Sequence, residues 1–277
     1  MHRLSSLEKT ATSKTIMKTT TWIGRYGMGL LLASLTATPG MAQGTDSSST
    51  GQLEALRSLR KELDVSKRAR LKAYRAAETT SAQNQALGIN PWADFRERAE
   101  TLAFEAEGTE VAAGAWALVF SNEREFGSRD SAWMAFDILI NDHADSSELE
   151  PVVAEARYVR VNREKAVSRL RQLLETSSLK SLQASSLFSM AKILEPNPEQ
   201  REEALGYYKR IVSDYPDVSS PRGATFAAMS SGALFEAKHL QVGLPVPDIA
   251  SVDETNTAFR LSDYKGKVVL VDFWGFW

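Results

Sequence analysis

Three segments of the chain repeat one pattern: AWMAFDILINDH from Ala132, AVSRLRQLLETS from Ala166 and ALGYYKRIVSDY from Ala204. The first aligns Ala132, Trp133, Phe136, Leu139 and Ile140. The second aligns Ala166, Val167, Leu170, Leu173 and Leu174, and the third Ala204, Leu205, Tyr208, Ile211 and Val212. Spacings of three and four residues place each set on one stripe of an α-helix, which must be buried. The starting alanines lie 34 and 38 residues apart. A helix candidate precedes each of them, at 111–120, 152–161 and 182–194, and polar or proline-rich links such as EPNPEQ separate the partners. A single hairpin cannot cover its own apolar stripe, whereas stacked hairpins cover one another. The pattern therefore predicts an array of helical hairpins, with Trp116, Trp133, Phe136, Tyr207 and Tyr208 in its core.

A period near 34 residues is that of tetratricopeptide repeats. EEALGYYKRIVSDYPD resembles the second helix of such a repeat, terminal proline included. The full W-x2-L-G-x2-Y signature is absent, so the array is tetratricopeptide-like, and generic helical hairpins remain an alternative. Such an array offers a face for a peptide or protein partner. Upstream, residues 52–77 lack Gly and Pro and place Leu53, Leu56, Leu59 and Leu63 at helical spacing, which predicts one more amphipathic helix. Its basic stretch KRARLKAYR reads as a solvated helix face. The whole chain carries 33 basic and 35 acidic residues, a net charge of −2, and so has no global drive toward nucleic acid.

The N-terminus has the layout of a cleavable export signal. No acidic residue occurs from Lys9 to Thr45, and Lys9, Lys14, Lys18 and Arg25 precede the apolar run GMGLLLASLTATPGMAQG. That run is too short to span a bilayer comfortably, Pro39 breaks it, and Gly40-Met41-Ala42 supplies the small residues of a cleavage site. The expectation is a signal peptide over 1–42, with Met1 or Met17 as its start, and then a flexible linker over 43–51. A helical domain would occupy 52–240, and the mature protein would be periplasmic with no stable membrane span.

The chain contains no cysteine, which excludes disulfides, thiolate nucleophiles and cysteine metal sites. His2, His143 and His239 are scattered, so no metal and no cofactor is expected. No nucleophile-elbow context surrounds the Ser-rich stretches.

After residue 240 the texture changes. VGLPVPDI reads as an extended linker entering a strand, and the Asp/Asn/Thr-rich middle of ASVDETNTAFR reads as a turn between two short strands. LSDYKGK predicts a brief helical turn ended by Gly266. VVLVDFW, residues 268–274, is β-branched and aromatic on both faces, as in a central parallel strand.

Together these residues resemble the opening of a TlpA-like thioredoxin-fold thiol–disulfide oxidoreductase, of the redoxin or alkyl hydroperoxide reductase/thiol-specific antioxidant type. That family opens with G-x-P-A-P-x-F, passes through a strand hairpin and L-S-D-x-K-G-K, and runs along its first central strand into F-W-A-x-W-C-x-x-C. Gly243, Pro245, Pro247 and Asp248 match the first block. Leu261, Ser262, Asp263, Gly266 and Lys267 match the second, and Phe273, Trp274 and Trp277 the third. The resemblance covers 241–277 and implies an incomplete α/β domain behind a mainly α one.

It also implies that the next position begins C-x-x-C, so that the sequence is a fragment and this chain is redox-inert. Asp272 matches the buried acid that takes the resolving cysteine's proton, and Trp274 and Trp277 would flank the redox site. FWGFW lacks the P-x-x-x-T/S-x-x-C arrangement of the peroxidase branch, which favours a disulfide reductase or isomerase. Partners would be protein thiols or disulfides, or a thiol reductase. The competing expectation is a periplasmic scaffold whose tail is non-catalytic, with the strand at 268–274 hidden against the helical domain.

Overall fold

The computed structural model describes residues 45–158 and 162–272. The expected signal peptide, Phe273, Trp274 and Trp277 lie outside the described residues. Ten helices are described. They are α1 (Thr45–Ala76), α2 (Thr80–Gly88), α3 (Arg96–Glu105), α4 (Glu110–Phe126), α5 (Arg129–Asp142), α6 (Leu149–Ala156), α7 (Arg163–Thr176), α8 (Lys180–Leu194), α9 (Arg201–Asp214) and α10 (Phe226–His239). A hairpin of β1 (Ala250–Val252) and β2 (Ala258–Arg260) follows, then a 3-10 turn at Leu261–Tyr264. Helix α1 starts at Thr45, ahead of the expected start at Gln52, so much of the expected linker is helical.

Local chemistry sets several of the helix starts. The hydroxyls of Thr79, Thr109, Ser128 and Thr225 each accept the amide of the third residue on, at 3.1–3.4 Å, capping α2, α4, α5 and α10. Pro196 and Pro198 follow the end of α8 and cannot continue it. Helix α6 ends at Ala156, short of the expected 152–161, and α7 begins after Asn162, which takes a left-handed φ of 60°.

The helices form two layers. The first helices of the three expected pairs, α4, α6 and α8, neighbour one another in order, and α10 continues their row beside α8. Helix α5 packs on α4 and α7, α7 also packs on α8, and α9 packs on α8 and α10. The predicted stripes supply most of the core: Phe136, Leu139, Ala166, Leu170, Leu173, Ala204, Tyr208 and Ile211 are fully buried, whereas Leu205 is partly buried and Val212, the last member of the third stripe, is exposed. Trp116 is buried, and Trp133 and Tyr207 are partly buried against the same core. Leu56, Leu59 and Leu63 bury the predicted face of α1, while Leu53 stays exposed.

Polar bonds between the second helices keep the period of the sequence. Arg169 donates to Asp137 at 2.7 Å and Gln172 to Asn141 at 2.8 Å, across 32 and 31 residues. Arg171 donates to Glu203 at 3.2 Å, again across 32 residues. The backbone amide and hydroxyl of Ser178 donate to Asp145 in the preceding interhelical link, at 2.6 and 2.9 Å. The hairpins are thus spaced by a shared surface register as well as by a shared core.

β1 and β2 are antiparallel, with Ser251 opposite Phe259. Asp253 organises their turn by accepting the amides of Thr255 and Thr257, at 2.8 and 2.9 Å. The expected helical turn is present at Leu261–Tyr264, and Gly266 follows it with a φ of 82°. The expected central strand is a correction. Residues 268–272 pair with no strand, and Val268 and Leu270 are 104% and 93% exposed. A strand exists by pairing, and the β1–β2 hairpin offers its ladder to itself alone. The alternative in which this run hides against the helical domain fails for the same residues.

Candidate partner-binding groove

Helices α6, α8 and α10 enclose a groove of 810 Å³ on the first-helix layer. Its floor is aromatic. Phe188 of α8 meets Tyr208 edge-on at 5.9 Å and Phe226 of α10 at 5.7 Å. Small residues on α8 leave the space open: Ser185 and Ser189 line it, and Ser189 donates to the carbonyl of Val153 on α6 at 2.9 Å. The far rim is a tight turn before α10. There Ser219 bridges Thr225, and Gly223 takes a φ of 91° that a side chain would resist, which brings Ser220, Pro221 and Arg222 to the groove.

The rim is charged, and the charges differ in what they already touch. Glu155 is held by Arg124 at 3.0 Å, and Lys192 by Glu195 at 3.0 Å. Lys192 also lies 5.6 Å from the centre of the Tyr208 ring. The Tyr208 hydroxyl donates to Glu195 at 3.1 Å, and burial followed by the Glu195 charge pushes its pKa far above the ordinary range, so it remains a donor. Arg157, Arg222 and Glu150 form no ion pair among the described residues. The Arg157 guanidinium sits 4.9 Å over the Tyr158 ring, yet its Nε is buried without a hydrogen-bond partner. The Ser220 hydroxyl is buried and unpartnered in the same groove.

The groove residues went unnoticed in the sequence because they come from three elements far apart in the chain. A signal was present. Arg124, Arg157, Lys192 and Lys238 stand in the last turn or at the C-cap of α4, α6, α8 and α10. Each complements the negative end of its helix dipole, and the repeat brings two of them to one groove.

The residues predicted from the resemblance stand elsewhere. Asp272 is exposed at the end of the unpaired run, and Trp274 and Trp277 lie outside the described residues, so no redox-site geometry is described around them. The two preceding motif blocks do meet. Asp248 accepts the Ser262 amide at 2.9 Å, the Ser262 hydroxyl at 3.0 Å and the Arg260 guanidinium at 3.1 Å. These bonds, the amide first, hold its carboxyl below the usual carboxylate range. Among the described residues no group of three His, Asp or Glu side chains is placed to hold a metal ion, and no helix is long and apolar enough to cross a membrane.

These features define an array of helical hairpins with a groove along its first helices, followed by a small β-hairpin segment. Compared with known proteins, the chain matches no family model, no curated protein and no solved structure.

Proposed function

We propose that the chain is part of an exported thioredoxin-like thiol–disulfide oxidoreductase, in which the helical array binds a partner and the thioredoxin-like domain opens at residue 241. The observation that carries this reading is the Asp248 junction. It ties the V-P-D block to the L-S-D block through Ser262, around a strand hairpin in the order the family uses. Three blocks in sequence support it as well, as does the export layout of the N-terminus. In such an enzyme a cysteine at a helix N-terminus ionises at lowered pKa, its thiolate attacks a substrate disulfide, and the second cysteine resolves the mixed disulfide. Asp272 would serve the resolving step, with Trp274 and Trp277 beside the site. The 277 residues here hold neither sulfur.

The coding sequence beyond codon 277 tests this directly. C-x-x-C in the next codons is the expected result, and a stop codon in an intact locus overturns the reading. A second assay checks the chemistry: the 277-residue chain should not accelerate insulin reduction by dithiothreitol.

A second reading, an exported scaffold without redox activity, is favoured by the groove and by the absence of cysteine. A partner retained from periplasmic extract equally under oxidising and reducing conditions would support it.

A further inference from the structure

The groove between α6, α8 and α10 is more specific than a generic docking face. Its floor of Phe188, Phe226 and Met229 is apolar, so an occupant must bring an apolar side chain. Its rim selects charge. The ionised groups lining it are Glu150, Glu155, Arg157, Lys192 and Arg222. Glu155 and Lys192 are each neutralised by a neighbour at 3.0 Å. That leaves Arg157 and Arg222 against Glu150, an excess of positive charge over the groove. Two buried polar atoms, Arg157 Nε and Ser220 Oγ, lack any hydrogen-bond partner there. An N–H donor left buried is satisfied by an acceptor, and a carboxylate is the acceptor that also matches the charge.

We propose that this groove binds an acidic segment of a partner protein, seating an apolar side chain against Phe188 and Phe226 and a carboxylate on Arg157, with Arg222 on the opposite rim. The proposal rests on the reading of the helical array as a partner-binding module. Arg157 donates its Nε–H to the carboxylate while its guanidinium face stays on the Tyr158 ring. Lys192 is committed to Glu195 and acts as a wall. A cationic segment is disfavoured because it would place like charge against two unpaired arginines.

The test is fluorescence anisotropy on the full chain with two labelled octapeptides, Gly-Asp-Glu-Phe-Asp-Glu-Leu-Gly and its counterpart with every acid replaced by lysine. The acidic peptide should bind, and should weaken as salt is raised. Arg157→Gln combined with Arg222→Gln should reduce its affinity by about tenfold or more, with helical circular dichroism unchanged. Arg222→Gln alone touches an exposed side chain and keeps the test valid should Arg157→Gln perturb folding. Equal binding of both peptides overturns the acidic specificity and leaves the partner-binding module standing. Binding of neither overturns both. Acidic-peptide binding indifferent to both arginine variants overturns the placement in this groove.

Discussion

Glu123, in the last turn of α4, is an acidic residue only 1% exposed. Its carboxylate accepts the indole N–H of Trp92 at 2.7 Å and the amide of Ser128 at 2.6 Å, and Arg96 stands 3.3 Å away. The cluster locks the 90–95 turn, the start of α3 and the α4–α5 junction to one another. Replacing Glu123 with Ala strands the buried indole N–H of Trp92 and frees the Ser128 amide, and should destabilise the fold by about 3 kcal/mol, measured by chemical denaturation. Gly127 serves the same carboxylate by lacking a side chain, since a Cβ there would come within 2.7 Å of Glu123 Cδ. Gly127→Ala should therefore lower the melting temperature, with a cost of about 1–3 kcal/mol. Neither role was legible in SNEREFG, which reads as an exposed, charged helix end. The partner that changes its meaning, Trp92, is 31 residues away.

At the scale of elements, legibility follows how a helix is covered. The stripes of α5, α7 and α9 were readable because each helix has one buried face and one wet one, so period 3.6 survives in the sequence. Helix α8 is packed by α6, α7, α9 and α10, and Leu182, Leu187, Met190 and Ala191 are all fully buried. An element covered on every side loses its stripe. Truncating Leu187 to Ala should accordingly be among the costlier core changes, about 2–5 kcal/mol by thermal unfolding.

The C-terminal hairpin makes a pH prediction of its own. The carboxyls of Asp248 and Asp253 titrate below their ordinary value when folded, because backbone amides and hydroxyls bond the ionised form. Their contribution is present above the unfolded pKa and is lost as pH falls through the folded one. Protection of the Ser262 amide from hydrogen exchange should therefore fade below about pH 4, and Asp248→Asn should abolish both the protection and its pH dependence.

At the scale of the whole molecule, the chain has a closed core up to α10 and an open one beyond it. The helical layers bury their apolar residues, whereas Val242, Val246, Val252, Val268 and Leu270 remain exposed. An unpaired β-branched run is an aggregation hazard. Val268→Lys with Leu270→Lys should raise the concentration at which the chain begins to aggregate, read by light scattering, and leave its melting temperature unchanged.

The sequence by itself determined α1 and the helices α4 to α9, their recurrence, most of their buried stripes and the hairpin with its turn, because these follow from local propensity and from periodicity along one strand of chain; α2 and α3 were not read from it. Even the Asp248 junction was foreshadowed by its two motif blocks, though not by its bonds. Only the tertiary structure decided that Glu123 is buried, that α6 stops at Ala156, that residues 268–272 stand unpaired, and that Phe188, Phe226 and Arg157 share a groove. Each of these depends on which distant segment arrives beside a residue, and the chemistry of a side chain is set by its neighbours in space.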